Sequence, residues 1–147
     1  VCVSARNNFY ERLLEVAEEE GVKSRFFVTG FVSNPDLATL YHQAVCYVFP
    51  SLSEGFGIPG LDAMALGLPL VSADAGSLPE IYRDGALYFD PNNAQDLAGS
   101  INLILSSPKK RQEVIERGRE IAKTYSWTKM AEQTLEVYQE VLGKEKA

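Results

Sequence analysis

Val45-Cys-Tyr-Val-Phe49 is an unbroken apolar run closed by Pro50. A strand with one wet face alternates apolar and polar residues, so a run without a polar position predicts a strand buried on both faces of a parallel sheet. Parallel strands need a crossover between them, and the chain supplies one at each step. Small and apolar residues at helical spacing fill 59–66, with Gly67 as a stop and Pro69 barring continuation. Leu70-Val-Ser72 reads as the next strand, Ser77-Leu-Pro-Glu80 as the capped start of a short helix, and 86–89 as a further strand before Asp90-Pro91. Upstream, 1–4 and 25–30 read as two more short strands, separated by a helix over 9–20 whose positions Leu13, Leu14, Val16 and Ala17 share a face. Asn34-Pro-Asp36 then opens a helix reaching Gln43. From Ala94 the pattern is helical, over 97–105, 108–125 and 127–142, the last behind a Ser126 cap. About five strands in alternation with helices predict a Rossmann-like open parallel α/β sheet with flanking helices, C-terminal helices at 94–142, and a ligand site beyond the carboxyl ends of the strands. The 45–49 strand is the expected centre.

A length of 147 residues, 46% of them hydrophobic, suits a single domain over 1–147. The apolar run at 1–4 has no turn or cap before it, so the natural chain is expected to start upstream and this domain to be incomplete at its N-terminal end. Twenty acidic residues against 14 basic ones give a net charge of −6, which argues against a nucleic-acid partner. Cys2 and Cys46 fit neither a disulfide framework nor a metal signature and read as free thiols of a reducing compartment. No apolar stretch approaches the roughly 20 residues of a membrane helix, so a cytoplasmic location is expected.

The loop after the 45–49 strand concentrates the chemistry. Gly55 and Gly57 remove side chains where a strand turns into a helix, which lets backbone amides approach a ligand. A helix beginning near Pro59 aims its first N–H groups and its positive dipole end at the same space, as an anion such as a diphosphate requires. Glu54 stands before the helix and Asp62 about one turn inside it, and carboxylates accept from the hydroxyl pairs that a sugar nucleotide carries at both ends.

The run from Gly30 to Asp90 resembles the donor-binding domain of family 4 retaining glycosyltransferases, one half of the two-domain GT-B fold. The resemblance rests on Gly30-Phe-Val32, Leu40-Tyr-His-Gln-Ala44, Val48-Phe-Pro-Ser51, Glu54-Gly-Phe-Gly57 with Asp62, Ala63-Met-Ala65, Gly67, Pro69-Leu-Val71, Ala75-Gly-Ser-Leu-Pro-Glu80, Phe89-Asp-Pro91 and Ser126-Trp127. It implies that Glu54 is the catalytic-site carboxylate touching the donor hexose, and that the backbone of Gly55, Phe56, Gly57 and Ile58 lies against sugar and phosphate. It also implies that Asp62 grips the ribose where the family usually has Glu, a reach shorter by about 1.5 Å. Val32 takes the position whose backbone meets the nucleobase, and His42, the only histidine, is expected to be structural. The family's basic pair, an Arg and a Lys that neutralise the diphosphate, precedes the region present here, and Arg6 comes one strand too late to replace either. In the strand order 3-2-1-4-5-6 the strand that would precede 1–4 is the middle one.

The implied parent is a retaining hexosyltransferase using a UDP-, GDP- or ADP-linked sugar, with no metal and no other cofactor at this site, and with an N-terminal acceptor domain outside this chain. The isolated chain is expected to bind a nucleotide sugar weakly and to transfer nothing. Self-association through the apolar face of the last helix and peripheral membrane association of the parent are further expectations. Two other readings stay open: a non-catalytic nucleotide-binding or assembly module, and half of a sugar-nucleotide epimerase.

Overall fold

Three strands form a parallel sheet in the order β1 (Tyr47–Phe49), β2 (Leu70–Ala73) and β3 (Ala86–Phe89). The computed structural model that shows them describes residues 1–4 and 8–144. In chain order the helices are α1 (Asn8–Glu19), α2 (Asn34–Gln43), α3 (Ile58–Ala65), α4 (Leu78–Tyr82), α5 (Ala94–Ser106), α6 (Pro108–Ala122) and α7 (Trp127–Lys144), with short 3₁₀ turns at Lys23–Arg25 and Arg83–Gly85. The chain divides into two compact units, Val1–Leu40 and Tyr41–Ala147, and the division falls within α2.

In the first unit, Cys2 and Val28 form a single parallel bridge, closed by Cys2 N–H to the Phe27 carbonyl at 2.7 Å and Thr29 N–H to the Cys2 carbonyl at 3.1 Å. The two expected strands at 1–4 and 25–30 thus meet at one residue pair, because so short a two-stranded ribbon has too little ladder to extend. α1 buries Ala17 of its apolar face. Ser33 caps α2, accepting from Asp36 N–H at 3.3 Å and donating to the Asp36 carboxylate at 2.7 Å.

In the second unit the central strand is β2, with all four residues buried, and not β1 as the unbroken apolar run had suggested. β1 pairs with β2 and, among the described residues, with no other strand of this sheet, so its residues are half-buried. Its apolar character goes instead into ring contacts. Tyr47 meets Tyr41 edge-on at 5.4 Å, stacks on Phe49 at 6.0 Å, and Phe49 meets Tyr82 edge-on at 6.5 Å. The register sets Phe49 beside Ser72 and Ala73 beside Phe89, so the loops leaving β1 and β2 emerge side by side.

The remaining helices close the core over the sheet. Asn93 caps α5 by accepting from the amides of Gln95 and Asp96, each at 3.1 Å, and Ser107 caps α6 through Lys110 N–H at 3.2 Å. α6 packs on α3 and on the Arg83–Gly85 turn, where Gly118 and Gly85 leave room for Met64 and Ile121. α7 starts where expected, with Ser126 accepting from Lys129 N–H at 3.1 Å. Its apolar residues stay exposed, Trp127 by 71% and Tyr138 by 63%. No helix among the described residues is long and apolar enough to cross a membrane.

Ile104 on α5 is wholly buried in this core, whereas its neighbour Leu105 is 50% exposed. Ile104→Ala is expected to lower unfolding stability by about 2–5 kcal/mol and Leu105→Ala by less than about 0.5 kcal/mol, read by urea denaturation. Equal effects would contradict the placement of α5.

Candidate functional site

The loop from Pro50 to Gly57 carries Glu54, Gly55, Phe56 and Gly57 from the end of β1 to the start of α3, where Ile58 is the first helical residue and Asp62 lies four residues further on. Gly57 is the N-cap of α3 with φ of 90°, in the left-handed region that side chains with a Cβ avoid. Having no side chain, it supplies no capping oxygen of the kind Ser, Thr or Asp would offer. Pro59 has no N–H and the Gly60 N–H goes to the Gly57 carbonyl at 3.1 Å, so Ile58 carries the helix-entry amide that no capping side chain meets. Five of the residues that sequence reasoning singled out, Glu54, Gly55, Phe56, Ile58 and Asp62, are exposed at this corner, and Gly57 is buried beneath them. Val32 belongs to the first unit, half-buried between Gly30 and the Ser33 cap, and is described with that unit. His42 is exposed near the end of α2. Arg6 lies outside the described residues.

Gly57 is held from below. Tyr82, the last residue of α4, is fully buried and donates its hydroxyl to the Gly57 carbonyl at 2.6 Å. Burial raises the Tyr82 phenol above its ordinary value, and the charge of Glu54 raises it further, so the hydroxyl stays protonated and donating. A Cβ at Gly57 would run into the Tyr82 hydroxyl, and one at Gly60 into the same ring. Gly60 therefore has a packing reason to sit inside a helix. Gly55 has open space around it and serves neither purpose.

Ser77 reaches the other end of the loop, donating to the Glu54 carbonyl at 2.8 Å. It occupies the expected N-cap of α4 but makes no capping bond there. The hydroxyl goes to the neighbouring loop because the sheet register brings that carbonyl within reach.

On the far side of the loop, Phe56 meets Tyr125 edge-on at 5.4 Å, and Tyr125 donates to the Ile81 carbonyl at 3.2 Å. Phe56, Ile58 and Asp62 share a recess of about 360 Å³ with Tyr125, Trp127 and Met130. Sequence reasoning missed Ser77, Tyr82 and this aromatic wall. Gly60 inside the α3 pattern was the available signal, since a glycine in a helix interior needs a bulky neighbour to explain it.

The family described as "Glycosyl transferases group 1" matches residues 6–121, a span that includes β1, the Glu-Gly-Phe-Gly loop and Asp62. The chain belongs to this family. It is 38% identical over 109 residues to the O-antigen chain mannosyltransferase B of Escherichia coli, covering 74% of this chain and 29% of that protein. Sucrose-phosphate synthase from Thermosynechococcus elongatus superimposes with a TM-score of 0.85 at 25% identity, covering 97% of this chain and 38% of the other. Anabaena Alr3699/HepE, solved in complex with UDP and glucose, superimposes at 0.84 with 23% identity, covering 94% of this chain and 39% of that one. The chain thus spans well under half the length of each of these proteins.

Substituting the two helix-entry glycines separates packing from open space. Gly60→Ala is expected to destabilise by about 1–3 kcal/mol through overpacking against Tyr82, despite the better helix propensity of alanine. Gly55→Ala is expected to change stability by less than about 0.5 kcal/mol. Denaturant midpoints of the two variants check this, and a neutral Gly60→Ala would contradict the packing of Gly60 on the Tyr82 ring.

Proposed function

We propose that this chain is the donor-binding domain of a longer group 1 glycosyltransferase that moves a hexose from a nucleoside diphosphate sugar to an acceptor with retention of anomeric configuration. The observation that carries the reading is the Glu54–Gly57 loop, which enters α3 through a left-handed glycine and leaves the first amides of the helix without a capping side chain. Backbone amides and the positive helix end favour a diphosphate at that point, and they offset the charge that builds on it as the glycosidic bond breaks. Glu54 lies on the same loop to meet hexose hydroxyls, and Asp62 lies on the first turns of the helix to meet a ribose. The Val32 backbone is assigned to the nucleobase, and the backbone of Gly55, Phe56, Gly57 and Ile58 to sugar and phosphate. The presence of UDP and glucose in the Anabaena neighbour and the mannosyltransferase relative support a sugar nucleotide as the donor.

In this reading the donor is UDP-, GDP- or ADP-linked, phosphate charge is met by the helix end together with a basic pair contributed from outside this chain, and no metal takes part. The acceptor is bound by a separate N-terminal domain, and the isolated chain neither transfers sugar nor binds the donor tightly. The exposed apolar face of α7 is the surface through which the isolated chain self-associates. The parent works in the cytoplasm, at the membrane surface.

In the full-length protein, Glu54→Gln is expected to lower turnover about a hundredfold while shifting stability by less than about 0.5 kcal/mol, because an exposed loop carboxylate contributes little packing. Wild-type turnover in that variant would sink the assignment. Asp62→Ala is expected to weaken nucleotide binding by about 1–3 kcal/mol, and Asp62→Glu to preserve or tighten it. Calorimetric titration reads both, and an unchanged affinity for the alanine variant would make Asp62 an ordinary surface residue.

A further inference from the structure

The loop is pinned at two carbonyls, and each pin has a directional consequence. Ser77 holds the Glu54 carbonyl at 2.8 Å and Tyr82 holds the Gly57 carbonyl at 2.6 Å. The peptide bonds here are trans, and in a trans peptide the N–H of the following residue points opposite to the carbonyl it shares a plane with. Drawing the Glu54 carbonyl toward Ser77 therefore turns the Gly55 amide away from α4. Tyr82 shares the Gly57 carbonyl with the Gly60 N–H, which donates to it at 3.1 Å, and the two together turn the Ile58 amide away from the core.

We propose that Ser77 and Tyr82 are positioning residues that aim the Gly55 and Ile58 amides outward, toward the sugar and diphosphate of the donor. The inference rests on the reading of this loop as the donor site, and neither residue touches the donor. Both belong to the segment after β2, so the second strand of the sheet sets the aim of the amides that follow the first. The two pins differ in rigidity. Tyr82 is fully buried, with its ring edge-on to Phe49 at the end of β1, so its hydroxyl has little freedom to move. Gly57 has no Cβ and lets the peptide plane follow that hydroxyl into a conformation with φ of 90°. Ser77 is half-buried at the start of a five-residue helix and holds the other end more loosely. Gly76 just before it has φ of 56°, and a Cβ added there would come 3.8 Å from the Glu54 nitrogen.

Tyr82→Phe keeps the ring that fills the space under Gly57 and Gly60 and removes only the hydroxyl, and Ser77→Ala removes the other pin with little loss of packing. In ¹H–¹⁵N spectra of this chain, Tyr82→Phe is expected to displace the Ile58 amide resonance and Ser77→Ala that of Gly55, with the α5 and α6 amides unmoved. Unmoved Ile58 and Gly55 resonances overturn the proposal whatever the loop binds. In the full-length protein, calorimetry with UDP-glucose, GDP-mannose and ADP-glucose selects the donor that binds, and each variant is expected to bind it about tenfold more weakly, the value of one misaimed charged hydrogen bond. Ser77→Thr restores the hydroxyl and is expected to recover wild-type affinity within about twofold, whereas Ile104→Val, a core change of comparable cost to stability, leaves affinity as it was. A merely structural role predicts that Tyr82→Phe and Ser77→Ala behave like Ile104→Val, and that result overturns the proposal. If Tyr82→Phe does not fold, Ser77→Ala and its threonine rescue decide alone. Loss of turnover in Glu54→Gln together with unchanged affinity in both pin variants removes the pins and leaves the donor site standing. Full turnover in Glu54→Gln removes the donor site, and the spectra then judge the pins by themselves.

Discussion

β2 is the constraint on which the second unit depends. Its four residues are buried, Leu70, Val71 and Ser72 paired on both sides and Ala73 with β3, so the register that it imposes fixes where β1 and β3 end. In a parallel sheet every strand ends at the same edge, and the loops there have no choice of neighbour. The loop leaving β1 must lie against the loop leaving β2. The hydroxyls of Ser77 and Tyr82 meet the Glu54 and Gly57 carbonyls as a result of that geometry. A buried hydroxyl without an acceptor costs about 1–3 kcal/mol, so Tyr82 and the Gly57 carbonyl hold each other in place.

The same ring explains why the site is built from glycine. Gly57 and Gly60 are both needed where the Tyr82 phenol passes beneath the entry to α3, one for its backbone conformation and both for room. Gly55 differs, since among the described residues nothing crowds it. Three glycines that look alike in the sequence therefore divide into a turn, a packing position and, in the proposed donor site, an approach position. Electrostatics run in one direction across this corner. The uncapped start of α3 is the positive element, and Glu54 and Asp62 are acids at the periphery, so an anion with hydroxyl groups on either side of it meets complementary partners.

Much of this was legible in the sequence because the signals were local. Buried strands at 70–72 and 86–89, the helices after Ala94, the helix start near Pro59 and the cap at Ser126 follow from periodicity, proline and glycine without tertiary knowledge. The Glu54–Asp62 segment was legible for the same reason, and its resemblance to group 1 transferases agrees with the family match over residues 6–121. What was hidden depended on pairing. Val45–Phe49 is as apolar as a central strand, yet apolar content cannot tell burial by a neighbouring strand from burial by the Tyr41, Tyr47, Phe49 and Tyr82 rings. The runs at 1–4 and 25–30 have strand character but too little partner length to extend beyond the Cys2–Val28 bridge. Ser77 looked like a helix cap, because a cap is the local use of a serine before Leu-Pro-Glu, and only the register of two strands reveals its bond to a residue 23 positions away.

The central claim is that a sugar nucleotide seats its diphosphate at the entry to α3. The most direct measurement is a crystal structure of the full-length protein with a nucleoside diphosphate sugar bound. The account predicts phosphate oxygens at the Ile58 amide, the donor sugar at the Gly55 amide and the Glu54 carboxylate, and ribose hydroxyls on Asp62. A nucleotide seated instead in the aromatic recess beside Trp127 and Met130, with the Glu54–Ile58 backbone untouched, would contradict it.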